Sequence, residues 1–173
     1  MADTAALAAA YDDMAAGCRF LIARGLDASG RNVPPGIAMR RAANCLKELD
    51  RFLVVMIDAC VAPDSAPHGN RAVYVREGDA AARLCRIRML HGAFARDIAR
   101  LRAIGRIRGL ALGDAPAEVA SRPMRDLALA TMGHDLADQA PGAPFALGDR
   151  ALGAIAAYYL SLADRLRGVI AAA

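Results

Sequence analysis

Lysine is almost missing from this chain: Lys47 stands alone against 21 arginines. Tryptophan is absent and aromatic residues make up only 5%. That shortage weighs against a binder of single-stranded nucleic acid, which needs aromatic platforms for base stacking. Phe94 is the lone aromatic near the main cluster of arginines. Cysteine is limited to Cys18, Cys45, Cys60 and Cys85. None forms C-x-x-C, and no two flank a histidine at zinc-ligand spacing. They read as reduced, partly buried thiols of a cytoplasmic protein. No apolar run reaches the roughly 20 residues that span a bilayer. The first residues lack a basic stretch and are interrupted by Asp3, Asp12 and Asp13, so no signal peptide is expected. The expectation is a cytoplasmic protein without a membrane partner.

What is abundant is alanine, at 42 of 173 residues. Alanine is the strongest helix former and a weak strand former. With 56% hydrophobic and 23% charged residues, the chain can build a core without metal or disulfide support. The expected architecture is all-α, a bundle of five to seven helices in one domain spanning 1–173.

Periodicity places the helices. Leu7, Tyr11, Met14, Cys18 and Leu21 recur at 4-3-4-3 spacing and predict a helix over Thr4–Arg24, stopped by Gly25. Pro34-Pro35 opens a second, to about Val61, with a seam of Leu46, Leu49, Leu53, Met56 and Cys60. Its polar stripe is Arg40, Asn44, Lys47, Arg51 and Asp58, so Asp58 reads as a solvated acid. Residues 62–78 read as a long loop, with a short strand at Val73–Val75. A helical stretch from Asp79 to about Arg108 is expected to break at Gly92. A short helix at 115–120 and one from Ser121 to about Asp138 follow. The last helix spans 149–171, with Leu152, Ile155, Tyr159, Leu162 and Leu166 on its buried face. Its Ala154, Ala156 and Ala157 allow close approach of a second copy, which predicts a homodimer.

The charge is unevenly placed. Of a net +4, residues 79–110 alone carry +6, from eight arginines against Asp79 and Asp97. Residues 111–147 carry −3, from two arginines against five acids. Arg100, Arg102, Arg106 and Arg108 are the candidate phosphate or RNA contacts. The eight arginines do not share one helical face, and no Asn, Gln or Ser among them could read base edges. Pairing with the acidic segment of the same fold is the favoured expectation. Gly105 and Gly109 form G-x-x-x-G, read as a close helix crossing or a helix end. His134-Asp135 is a doublet of the kind that metal-dependent phosphohydrolases use. With His91 upstream it gives the candidate metal ligands. No cofactor is otherwise expected.

Two segments carry a family likeness. Arg41-Ala-Ala-Asn-Cys-Leu-Lys-Glu-Leu-Asp-Arg-Phe-Leu53 resembles a helix of HEPN domains, the mannitol-repressor-like ones above all. Arg86-Ile-Arg-Met-Leu-His-Gly92 and Asp97-Ile-Ala-Arg-Leu-Arg-Ala-Ile104 resemble the helices that lead to that family's Arg-Asn-x-x-x-His ribonuclease motif. The motif's Arg, Asn and His positions fall here on Gly105, Arg106 and Leu110. The resemblance implies a dimeric helical regulator that has lost metal-independent RNA cleavage. A protein partner or RNA is the implied ligand, and a small metal-dependent hydrolase is the remaining enzyme class.

Overall fold

The computed structural model describes residues 4–24, 34–59, 80–113, 121–132 and 145–171. They form seven helices: α1 (Thr4–Arg24), α2 (Pro35–Ala59), α3 (Ala80–Arg86), α4 (Arg88–Ala93), α5 (Ala95–Leu112), α6 (Ser121–Thr131) and α7 (Asp149–Ala171). The chain is all-α, as alanine content and periodicity require. The expected loop at 62–78, the strand at Val73–Val75 and the helix at 115–120 lie outside the described residues.

Helices α1, α2, α5 and α7 make the body of the bundle. Tyr11 meets Asp164, and Ile22 lies against Gly153, so α1 runs antiparallel to α7. Met39 meets Leu147 and Asp50 meets Tyr159, so α2 runs parallel to α7. Asp97 meets Arg165 while Arg108 meets Asp50, which turns α5 against both. Short α3 lies on α2 and α5, and α6 lies antiparallel along α5. One contiguous core draws on all seven helices, with Met14, Leu46, Leu53, Ile107, Ile155 and Leu162 fully buried. Among the described residues, no helix is long and apolar enough to cross a membrane.

Local chemistry sets most of the ends. The carbonyl of Pro34 accepts from Ile37 and Ala38 N–H at 2.9 and 3.1 Å, closing the first turn of α2. Gly148 does the same for Leu152 at 3.0 Å at the start of α7. Three expectations are corrected. The helical stretch after residue 79 breaks at Ile87 and Phe94, not at Gly92, which stays inside α4. Ile87 is extended, at φ −91° and ψ 102°, a region that suits a β-branched residue. The turn at Phe94 lets that ring and Leu90 both enter the core. Helix α6, expected to run to about Asp138, ends at Thr131, and residues 133–138 lie outside the described residues. Just past its end Met132 takes a left-handed φ of 56°, and the Thr131 hydroxyl donates back to the Leu127 carbonyl at 2.8 Å. Gly105 and Gly109 mark no close crossing, because a Cβ at either would meet nothing within 4 Å. The close approach lies at Gly153, whose Cβ would sit 3.9 Å from the Ile22 Cα.

Candidate functional site

The four candidate phosphate contacts all project from α5, and the fold sends them in different directions. Arg100 points to α6. Its Nε and Nη2 both donate to the Ala130 carbonyl, at 2.9 and 2.7 Å. Its guanidinium lies 3.8 Å from the centre of the Tyr158 ring. A cation at the last turn of a helix satisfies carbonyls that have no partner within it and suits the helix dipole. Burial lowers the Arg100 pKa from its ordinary value.

Arg106, two turns on, forks onto Asp126 of α6, with Nε and Nη2 at 2.8 and 2.6 Å from the two carboxylate oxygens. Arg108 faces Asp50 of α2 at 3.4 Å. Arg102 donates to the Cys85 sulfur at 3.4 Å. Upstream, Arg83 pairs with Asp58 at 2.9 Å. That acid is exposed, as its place on the polar stripe of α2 implies. Arg83, Arg106 and Arg108 thus pair with acids of the same chain and Arg100 with a helix end, while Arg102 stays exposed with only a thiol beside it. Among the described residues the acidic 111–147 segment supplies Asp126 and α2 supplies Asp50 and Asp58; the segment's other four acids lie outside the described residues.

Behind the arginines lie three buried carboxylates that the hydrophobic pattern did not single out. Asp50, Asp97 and Asp126 are 5%, 7% and 8% exposed. Each has a cationic partner, as burial of a charge requires. Asp97 takes two bonds from Arg165, at 2.6 and 3.0 Å, and one from the Tyr158 hydroxyl at 3.2 Å. Asp50 accepts from the Tyr159 hydroxyl and from the Ala80 N–H, each at 3.4 Å. The two tyrosine rings meet edge-on, 5.9 Å between centres, and so link the two clusters. Burial raises the pKa of both tyrosines, aided by the neighbouring carboxylates, so neither loses its proton near neutral pH. Asp50 and Asp97 were legible in one respect. Asp50 stands four residues after Leu46 and three before Leu53, and Asp97 stands between Phe94 and Leu101, so both fall on an apolar seam.

The Arg106 hydrogen bonds hold the Asp126 carboxyl below the usual carboxylate pKa. A depressed native pKa adds stability above the unfolded value of about 4, and that stability is lost as pH falls through the native value. Arg106→Gln is therefore expected to lower the urea midpoint at pH 7. The gap to the parent protein should narrow steadily below about pH 4. A gap that stays constant down to acid unfolding would mean that the fork contributes nothing through Asp126.

The remaining candidates do not assemble within the described residues. His134 and Asp135 lie outside them, and so does the side chain of His91, which stands in α4. Among the described residues, no three His, Cys, Asp or Glu side chains are grouped to hold a metal ion. Cys18 is buried and its thiol is pushed up to about 12 by desolvation, so it is unreactive at neutral pH. An open depression lies on the seam of α1 and α7, lined by Leu7, Ala8, Tyr11, Asp12 and Arg167. In it the Tyr11 hydroxyl donates to Asp164 at 2.7 Å, and the Arg167 guanidinium lies 4.1 Å from the Tyr11 ring centre. No family model, curated protein or solved structure matches the chain.

Proposed function

We propose that this protein is a non-enzymatic helical interaction or regulatory protein, acting as a homodimer in the cytoplasm, and a HEPN-like domain whose nuclease site is lost. The engagement of the α5 arginines carries the reading. A phosphate-binding face needs several guanidinium groups turned to solvent on one side. Here Arg100, Arg106 and Arg108 are committed to a helix end, to Asp126 and to Asp50. The positions that the HEPN likeness assigns to the ribonuclease motif hold no proton-transfer group. Leu110 has none, and Arg106 stays charged at any physiological pH. The free thiols of Cys18, Cys45 and Cys85 suit a reducing compartment.

The test is incubation of the purified protein with a labelled single-stranded RNA at about 50 and about 200 mM salt. The expected result is no cleavage and little binding at either salt. Tight binding that falls steeply with salt would transfer the assignment to a phosphate binder using Arg100, Arg102, Arg106 and Arg108. Cleavage lost in Arg106→Ala or His91→Ala would restore a nuclease. A stoichiometric divalent metal in the purified protein would favour the hydrolase with His91, His134 and Asp135.

A further inference from the structure

Charge is divided unevenly over the surface of the bundle. Three helices expose acids among their bases: Asp12 and Asp13 on α1, Glu48 and Asp58 on α2, Asp149 and Asp164 on α7. Helices α5 and α6 expose Arg96, Arg102, Arg106, Arg122 and Arg125. Among their described residues they expose no acid, because Asp97 and Asp126 are buried. The exposed residues form two rows. On α5, Ala95, Ala99, Arg102, Arg106 and Gly109 follow at 4-3-4-3 spacing. On α6, Arg122, Arg125, Leu129 and Met132 follow at 3-4-3 spacing. Antiparallel packing sets the rows side by side, with Asp126 level with Arg106 and Ala130 level with Arg100. The Arg106 fork onto Asp126 closes the seam between them, and Arg122 and Arg125 also act on that carboxylate. Neither Arg102 nor Arg122 has an ion-pair partner among the described residues.

Between its arginines this face is apolar. Leu129 and Met132 are 40% and 64% exposed, with half-buried Met124 and Ala128 on their flank. Around Arg102 the α5 row is low, since its neighbours are alanines, and a Cβ at Gly109 would meet nothing within 4 Å. A phosphate backbone would engage the cations and leave Leu129 and Met132 uncovered. No exposed aromatic, Asn, Gln or Ser stands on either row to take a base. The lack of an aromatic anchor weighs equally against an anionic lipid surface. A protein segment that carries both acids and apolar side chains satisfies the whole face. Its carboxylates would take the forked N–H donors of Arg102 and Arg122. Its apolar side chains would cover Leu129 and Met132, and methionine adapts its shape to such contacts. A helix presents acids and apolar residues on one stripe at the same spacing as these rows.

We propose that the α5–α6 face is a docking surface for an acidic amphipathic segment of a protein partner, seated across Arg102, Arg122, Leu129 and Met132. This rests on the interaction-protein reading above and names the surface and the chemistry of the partner. The test is fluorescence anisotropy of a labelled synthetic peptide of Glu, Leu and Ala, with Glu and Leu on one helical stripe, titrated with the full chain. The peptide is expected to bind. Lys in place of its Glu should abolish binding, and Ser in place of its Leu should weaken it roughly tenfold or more. Arg102→Glu with Arg122→Glu should weaken the parent peptide roughly 100-fold, and Leu129→Ser roughly tenfold. Lys47→Glu with Arg150→Glu makes the same change of charge elsewhere and should alter binding by no more than about twofold. All five positions are exposed, so far-UV circular dichroism should be unchanged. Equal weakening by the two charge reversals would overturn the site. A Ser peptide that binds as tightly as the Leu peptide would overturn the apolar half of the partner. No binding of the Glu–Leu peptide would overturn the proposal and leave the interaction reading to another surface. Phosphatidylserine vesicles or single-stranded RNA bound by the parent protein, and released by the Arg102 and Arg122 reversals, would overturn the class of partner; RNA would overturn the reading above as well.

Discussion

Tyr159→Ala is expected to remove about 3–5 kcal/mol of stability, the range for truncating a buried aromatic side chain. The ring is 1% exposed and lies in α7 between the Tyr158 ring and the α2 carboxylate Asp50. Its loss leaves a void in a fully packed region and takes a hydroxyl donor away from a buried acid. A domain of this size is typically stable by only about 5–15 kcal/mol, so the variant stands near the edge of folding. Tyr159→Phe separates the two contributions. It keeps the ring and deletes only a long hydrogen bond of 3.4 Å, so a loss of about 1 kcal/mol is expected. Urea unfolding followed by circular dichroism measures both variants. Equal losses would show that the polar link, and not the packing, dominates at this position.

The Asp97 cluster makes an unequal pair of predictions. Arg165→Ala is expected to cost about 2 kcal/mol, because it leaves a carboxylate in the core with a tyrosine hydroxyl but without its cation. Asp97→Ala should cost only about 1 kcal/mol, since the released guanidinium can hydrate. The Arg165 side chain is already 48% exposed, and it keeps the Phe94 ring 5.5 Å away. The Tyr158 hydroxyl keeps the Asp97 carbonyl as an acceptor, at 3.3 Å, when the carboxylate is gone. The double variant should then be no less stable than Arg165→Ala alone, because it leaves no buried charge. Urea midpoints at pH 7 for the four proteins make the comparison. The reverse order of the single variants would show that Asp97 is better solvated than its 7% exposure implies.

The helices were legible because burial repeats along them. The spacing of Leu7, Met14, Cys18 and Leu21 and the proline pair at 34–35 place α1 and α2, and the spacing on the last helix places α7 at Asp149–Ala171. The ends that were misplaced depend on contacts from elsewhere. The sequence offers Gly133 as a stop shortly after Thr131 but does not require it there, and α6 ends where Arg100 of another helix takes its Ala130 carbonyl. Gly92 is permissive of a break but does not require one, while Phe94 turns the chain because its ring has a place in the core.

The sequence by itself determined the class of this protein. Alanine abundance and 3.6-residue periodicity suffice for an all-α bundle, since both act within a few residues along the chain. It also located the charge, with the excess of arginine in 79–110. What that charge does was decided only by tertiary structure. Arg165 and Asp97 are 68 residues apart in the chain, and Tyr159 and Asp50 are 109 apart. Hydrogen bonds and ion pairs form or fail over a few tenths of an ångström. Periodicity records the average burial of a face and says nothing of which two side chains meet, and packing of the helices settles that.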